Sequence, residues 1–360
     1  MIIQENIPIS SLTTMRIGGN ARYVAEVENL QDLKEAYEFA RNPKMRPEGA
    51  GTKGPLPTWI MGGGANTIGR DEGFPGLIIL NRIKGIEILS QTADEVVIRA
   101  MGGEVWDDLV AFTTERGYSG IETLSAIPGT VGAAPVQNIG AYGQDISHVI
   151  ESVDAYDAQT GELVVIGKED MNMSYRSTIF NTGKDAGRYF ITAVTIVLEN
   201  ESSMQPPFYN SLQQYLNEHN ITDYSPTSIR NAVIAIRKEK LPDPKIEPSA
   251  GSFFKNIYLN YKEAESAESK GIKVYTKSDE QKMINSGYLI EQAGLKGKTL
   301  HGFHISDKAA LILINKSANS YADLVAARQE IIDTVYTKFG FKLEQEPVEI
   351  VAATNTALEK

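Results

Sequence analysis

The apolar positions of this chain fall into short runs whose spacing changes along the sequence. Tyr23, Val24, Ala25 and Val27 predict a strand, and residues 30–37 continue it as a helix that stops before Asn42-Pro43. A short run, Trp59-Ile60-Met61, predicts another strand that feeds directly into Gly62-Gly63-Gly64-Ala65-Asn66. The runs GLIIL, IEILS and EVVIRA predict strands between residues 76 and 100, and a helical pattern over 104–117 closes on Gly117. Further strands are predicted at SVDAYDA, LVVI and YFITAVTIVLE, the last spanning 189–199. From residue 200 the chain turns polar and proline-rich, as a linker or lid. Helices are then predicted at 209–218 and 226–238, stopped by the two prolines of LPDPK. Residues 282–292 read as a helix and 310–315 as a strand. Residues 320–339 read as a long helix, with Leu324, Ala327, Ile331, Val335 and Phe339 on one face and Gly340 at its end. The tail, FKLEQEPVEIV, is strand-like. The pattern is α+β, without a fixed-period repeat.

Two stretches depart from ordinary periodicity. Residues 42–58 hold four prolines and three glycines and read as a surface insertion. Residues 127–145, IPGTVGAAPVQNIGAYGQD, place glycines at 129, 132, 140 and 143 and prolines at 128 and 135, with almost no charge. Glycine at this density leaves room for backbone to approach a flat ligand, although a compact set of turns has the same composition. A strand running into Gly62–Gly64 also offers clustered backbone N–H groups to a phosphate. The GxGxxG fingerprint of a parallel dinucleotide-binding unit is missing.

Composition narrows the chemistry. The 360 residues are 42% hydrophobic and 22% charged, enough for two or three domains and a sizeable core. The net charge of -11, with no dense Lys/Arg run, argues against nucleic-acid binding. There is no apolar run long enough to span a membrane and no signal-peptide pattern at the start, so a cytoplasmic protein is expected. The absence of cysteine removes thiolate nucleophiles and cysteine-ligated metals, and four histidines make a histidine-rich metal site unexpected. In AGSFFKN, residues 250–256, Ser252 sits between a glycine and two phenylalanines. It is either a turn residue entering a core strand or a proton donor in a dry pocket.

Seven stretches, in order, resemble the UDP-N-acetylenolpyruvoylglucosamine reductases, flavoenzymes of bacterial cell-wall synthesis. They are TTMRIGG (13–19), GGGAN (62–66), IPGTVGAAPVQNIGAYGQ (127–144), YRSTIF (175–180), KLPDPK (240–245), SAGSFFKN (249–256) and ALILIN (310–315). Residues 205–216 resemble the lid loop of the longer subtype, in which a tyrosine reaches the substrate. The resemblance implies a bilobed FAD-binding unit of the vanillyl-alcohol-oxidase (PCMH) type, with lobes at 1–80 and 81–200. A smaller α+β substrate domain with the lid would occupy 201–325, and a helix and tail at 326–360 would return to the active site.

It also implies a reaction: NADPH reduces FAD, and the reduced flavin reduces the enolpyruvyl ether of UDP-N-acetylglucosamine. The implied catalytic residues are Ser252 as proton donor, Arg176 on the substrate carboxylate and Glu346 as the stabilising acid. Glu344 and Glu349 lie close enough to leave the choice of acid open, and Glu346 is taken from its place in the LE-x-E pattern. FAD would lie along Gly62, Gly63, Gly64, Ala65, Asn66 and Thr67, and along Pro128, Gly129, Thr130, Val131, Gly132, Ala133, Asn138, Gly140 and Ala141. Ala65 stands where the family commonly has serine, and no histidine or cysteine is placed for a covalent flavin bond, so the FAD is expected to be non-covalent. Tyr142, Tyr175, Tyr209, Lys240 and Asn256 would hold the substrate. A monomer is expected, with no metal. The alternatives are another FAD-dependent oxidoreductase of the same fold, an oxidase or dehydrogenase, and an inactive nucleotide-sugar-binding paralogue.

Overall fold

The computed structural model describes residues 1–47, 54–276 and 280–352; the middle of the proline- and glycine-rich insertion, 48–53, lies outside them. The first lobe is built on strands β1 (Ile3–Pro8), β2 (Asn20–Val27), β3 (Thr58–Met61), β4 (Thr67–Ile68) and β5 (Phe74–Asn81), with helix α1 (Leu30–Arg41). Its sheet has the order β1-β2-β5-β3, with β2 and β3 both parallel to β5. Both faces of β5 are buried. One packs with Leu33, Ala36 and Tyr37 of α1, and the other gathers Ile9, Val24, Met61 and Ile350. A doubly covered parallel pair explains why GLIIL is apolar throughout instead of alternating.

The second lobe contains β6 (Ile86–Gln91), β7 (Glu95–Met101), α2 (Trp106–Thr114), the two-residue pair β8 (Gly140–Ala141) and β9 (Gln144–Asp145), β10 (Ile150–Asp157), β11 (Leu163–Gly167) and β12 (Tyr189–Glu199). Its five-stranded sheet is antiparallel, in the order β11-β10-β12-β7-β6. The central β12 pairs with both β10 and β7. The core beneath it takes Trp106, Leu109 and Val110 from α2, and Val131 and Ala134 from the glycine-rich stretch.

Helices α3 (Asn210–Glu218) and α4 (Pro226–Lys240) form a separate small core from Phe208, Leu212, Leu216, Ile229, Val233 and Ile236, with Tyr142 packed against it. Arg230 of α4 donates to both oxygens of Asp107 at the start of α2, at 2.6 and 3.0 Å, which fixes this pair to the second lobe. The last unit holds β13 (Ile257–Leu259), α5 (Tyr261–Ser269), β14 (Tyr275–Thr276), β15 (Lys282–Ile284), α6 (Ser286–Gln292), β16 (Thr299–Leu300), β17 (Phe303–Ile305), β18 (Leu313–Asn315) and α7 (Tyr321–Phe339), with β19 (Val348–Glu349) in the tail.

The helix expected over 282–292 begins later than its apolar spacing suggests. Residues 282–284 pair with β13, and the Asn285 side chain accepts from Tyr288 N at 2.9 Å, so the helix is capped there. The expected division at 325 falls inside α7. That helix buries Leu324, Ala327, Ile331 and Val335 in one core with Phe253, Phe254, Ile305 and Leu313, joined by Met15, Ile17 and Ile68 of the first lobe. Asp71, also from the first lobe, accepts from the first two backbone N–H groups of α7 at 2.6 and 3.0 Å, a charge well placed at a helix N-terminus. Because Ile331 is fully buried in this shared core, Ile331→Ala is expected to lower stability by about 2–5 kcal/mol, measured as a shift in the urea unfolding midpoint.

Candidate active site

The lobes meet along two glycine turns. Between β3 and β4 the chain turns through Gly62–Asn66, with Gly64 at φ +63°, where a Cβ would overlap the Leu12 carbonyl oxygen. A Cβ on Gly62 would collide with Thr130 Oγ1, and one on Gly63 would stand 3.1 Å from Gly129 Cα, so side chains here would close the seam. The facing turn is pinned by its own backbone: Trp106 N donates to Gly129 O (3.1 Å), Val131 N to Glu104 O (2.9 Å) and Gly132 N to Gly102 O (2.8 Å). Asn66 Nδ2 donates to Gln137 Oε1 across the seam at 2.5 Å.

Among the described residues, the backbone N–H groups of Gly63, Gly64, Ala65 and Asn66 donate to no protein acceptor. The buried hydroxyl of Thr130 has no partner either. Leaving a buried hydroxyl unpaired costs about 1–3 kcal/mol, so a polar ligand at the seam would satisfy Thr130, and the N–H groups of the partly exposed turn are open to the same ligand. A flat dinucleotide with an anionic linker fits these groups. Beside Gly63 a cavity of about 240 Å³ opens, lined also by Thr13, Arg16, Pro244 and Lys245.

A second cluster joins distant parts of the chain. Arg176, at φ +56°, donates from Nε to Glu346 Oε1 at 2.8 Å and from Nη1 to the Asn138 carbonyl at 3.2 Å. Asn138 also has positive φ (+46°), at the end of the short 3-10 turn Pro135–Gln137. Glu346 is delivered by backbone pairing: its N–H donates to Phe253 O at 3.0 Å, and Lys255 N donates to Glu344 O at 2.8 Å. Its carboxyl is buried, which raises its pKa; Arg176 and then Lys255 oppose the shift without cancelling it. Ser252 lies one residue before Phe253, bridged to Ile312, and follows Gly251 at φ +69°. Among the described residues no hydrogen bond engages its hydroxyl. Tyr175 accepts from Asn256 N at 3.2 Å and packs on Tyr258, ring centroids 4.7 Å apart.

The third cluster lies under α3 and α4. Tyr142 and the exposed Tyr209 meet edge to face at 6.0 Å. Lys240 is exposed at the last residue of α4. Arg237, one helical turn earlier, is a functional candidate that reading the sequence missed. It hydrogen-bonds Tyr142, its Nε is buried without a partner, and desolvation lowers its pKa. Its three-residue spacing from Lys240 on a helix was the available signal, since such residues share a face. Of Glu344, Glu346 and Glu349, only Glu346 reaches Arg176. Glu344 pairs with Lys255 at 2.5 Å, and Glu349 pairs with Arg70 and Arg328. Among the described residues, no group of three or more His, Asp or Glu side chains could hold a metal ion.

Residues 21–167 match the family model of an FAD binding domain, which with the relatives below makes this a flavin-dependent oxidoreductase. Residues 243–350 match the model of the UDP-N-acetylenolpyruvoylglucosamine reductase C-terminal domain. The UDP-N-acetylenolpyruvoylglucosamine reductase of Ralstonia nicotianae is 36% identical over 97% of this chain and 99% of its own length. That of Alcanivorax borkumensis is 34% identical over 96% and 95%. The crystal structure of the enzyme from Thermus caldophilus shares the fold, with TM-score 0.66, 21% identity and coverage of 97% of this chain and 100% of that one. The chain belongs to the UDP-N-acetylenolpyruvoylglucosamine reductase family, whose FAD-dependent reduction serves peptidoglycan precursor synthesis.

The two tail carboxyls should respond to pH in opposite senses. Glu346 has a raised folded pKa, so its contribution is favourable at acid pH and lost as pH rises through that value. Glu349 is held down to about 2, so its contribution is present above the ordinary glutamate range and lost as pH falls toward 2. In melting curves from pH 3 to pH 8, Glu346→Gln should therefore gain on the parent protein as pH rises, while Glu349→Gln should lose.

Proposed function

We propose that the chain catalyses NADPH-dependent reduction of the enolpyruvyl ether of UDP-N-acetylglucosamine to UDP-N-acetylmuramate, with FAD held non-covalently between the lobes. One observation carries the residue assignments: buried Glu346 meets Arg176 at 2.8 Å, beside the strand of Ser252, whose hydroxyl is unengaged. FAD, when bound, supplies the hydride, which it draws from NADPH. The N–H groups of Gly63, Gly64, Ala65 and Asn66 hold its pyrophosphate, with Gly62 and Thr67 at the ends of that turn. Pro128, Gly129, Thr130, Val131, Gly132, Ala133, Asn138, Gly140 and Ala141 form the facing wall.

Hydride addition to the terminal carbon of an enol ether builds negative charge on the neighbouring carbon and its carboxylate. Stabilising that charge is the main catalytic task. Arg176 offers positive charge to the carboxylate. Once the substrate competes for that guanidinium, Glu346 loses the pairing that opposes its raised pKa and shifts further toward its protonated form. A protonated Glu346 donates a hydrogen bond to the developing enolate. Ser252 Oγ then gives its proton to the carbon beside the carboxylate. Phe253 and Phe254, both buried, dry the strand and fix its backbone. Tyr142, Tyr209, Lys240 and Asn256, joined by Arg237, hold the substrate diphosphate and uridine, with Tyr175 beside Asn256.

The substrate is a small molecule. We take the enzyme to act as a monomer in the cytoplasm, without nucleic-acid partners. The net charge of -11 supports the last point, and no helix among the described residues is long and apolar enough to cross a membrane.

Two-stage anaerobic stopped flow tests the reading: the flavin is reduced with NADPH, then enolpyruvyl-UDP-N-acetylglucosamine is added. Reoxidation without oxygen is expected; recovery only in air would replace the reductase with an oxidase. Ser252→Ala should leave reduction within about 2-fold and slow reoxidation by about 10²–10⁴-fold. Arg237→Met should raise the substrate KM by about 10-fold or more with kcat less affected, as expected for loss of a charged contact worth about 1.5–3 kcal/mol.

A further inference from the structure

The tail that carries Glu346 is gripped from its far side by charges the proposed chemistry leaves unused. Glu349 Oε2 accepts from Arg70 Nε at 3.0 Å and Nη2 at 2.6 Å, and Oε1 accepts from Arg328 Nη1 at 2.8 Å. The Tyr321 hydroxyl also hydrogen-bonds Glu349. Arg328 Nη1 donates again to Gln345 Oε1 at 2.6 Å, and Gln345 Nε2 donates to Pro347 O at 2.8 Å. Side chains therefore tie both ends of the span 345–349, and Glu346 lies inside it.

The grip spans three parts of the molecule. Arg70 follows β4, which leaves the glycine turn; Arg328 comes from α7; Glu349 belongs to β19, which pairs with β4 through Val348 and Thr67. Backbone bonds continue the connection, from Val348 N to Asn66 O at 2.9 Å and from Ile350 N to Ile68 O at 2.9 Å. A two-residue parallel strand is a weak hold on a tail. A buried carboxyl such as Glu346 gains hydration by swinging out. Charge-assisted, forked hydrogen bonds at half-buried arginines resist that release more strongly than surface ion pairs do.

We propose that Glu349, with Arg70 and Arg328, acts as a positioning clamp, holding residues 345–349 between the glycine turn and the 253–255 segment so that the Glu346 carboxyl stays against Arg176. The proposal rests on the assignment of Glu346 as the active-site acid. The charged and titratable groups facing Glu346 are Arg176 and Tyr175 from the 174–177 turn and Lys255 from the paired 253–255 segment. None belongs to the clamp, so the clamp acts through position.

Glu349→Ala and Arg328→Met separate position from field, because they change the local charge in opposite directions. In the FAD-loaded enzyme, the Glu346 carboxyl is titrated by NMR with ¹³C-labelled glutamate, its signal assigned by its loss in Glu346→Gln. Flavin affinity and the two half-reactions are measured on the same samples. The clamp predicts that the Glu346 pKa falls toward the ordinary glutamate value in both variants. It further predicts that reoxidation by the enolpyruvyl substrate slows about 10- to 100-fold, while reduction by NADPH and FAD affinity stay within about 2-fold. Should Glu349→Ala fail to fold with FAD, the isosteric Glu349→Gln replaces it, with the same direction expected.

Opposite pKa movements in the two variants, equal slowing of both half-reactions, or no change would overturn the clamp. If the unsubstituted enzyme is not reoxidised by the substrate, the proposed function fails, and the titration still decides the clamp.

Discussion

A carboxyl held out of water beside a guanidinium is the constraint on which the rest of the site depends. Desolvating a glutamate is unfavourable, and an ion pair repays that cost only where geometry is good and the remaining oxygens are engaged. Glu346 meets the first condition through Arg176 Nε at 2.8 Å, but burial still outweighs the pairing, and its pKa stays raised. The carboxyl is therefore held in a state it would leave if the backbone allowed. Arg176 is itself in the left-handed region, as is Asn138, whose carbonyl takes the guanidinium's other hydrogen bond. Strained backbone on one side and an under-solvated acid on the other persist because neighbouring structure over-determines both.

The seam between the glycine turns follows the opposite logic. There, space and free backbone donors matter more than side chains. Each glycine of 62–64 lies where a Cβ would strike or crowd the facing turn or the 12–13 backbone. The N–H groups so exposed are the ones a dinucleotide linker needs. The two lobes can then be unlike in construction, one partly parallel and one antiparallel, as long as their turns face each other.

Much of this was readable from residue patterns because the decisive positions are glycines, prolines and periodic apolar faces. The stripe Leu324–Ala327–Ile331–Val335 marked α7 correctly, and the polar break at 200 falls where β12 ends at Glu199. Other features depend on pairings between residues far apart in sequence, which local spacing cannot encode. Residues 282–284 are helix-compatible by spacing and become a strand only because β13 lies beside them. The choice among Glu344, Glu346 and Glu349 had to come from resemblance, since alternation puts the first two on one face. Their distinct partners, Lys255, Arg176 and the Arg70–Arg328 pair, come from four separate regions of the chain. Arg237 was missed because a basic helix end, RKEK, reads as a solvated C-terminus favourable to the helix dipole, whereas packing buries one of its members.

The tail's route explains why its few residues matter. A chain segment that pairs on one side with residues 253–255 and on the other with the exit of the glycine turn has no slack in register. Shifting Glu346 by one residue would reverse which face its carboxyl occupies. The same segment therefore sets the distance between the glycine turn and the acid. Closing it with side-chain hydrogen bonds at Gln345 and Glu349, one residue before Glu346 and three after it, puts the restraint where rotation of the intervening peptide would otherwise begin. Because Arg70 and Arg328 come from different units, any opening between those units must first break charged hydrogen bonds to a single carboxylate. Domain arrangement and acid placement are in that sense one equilibrium.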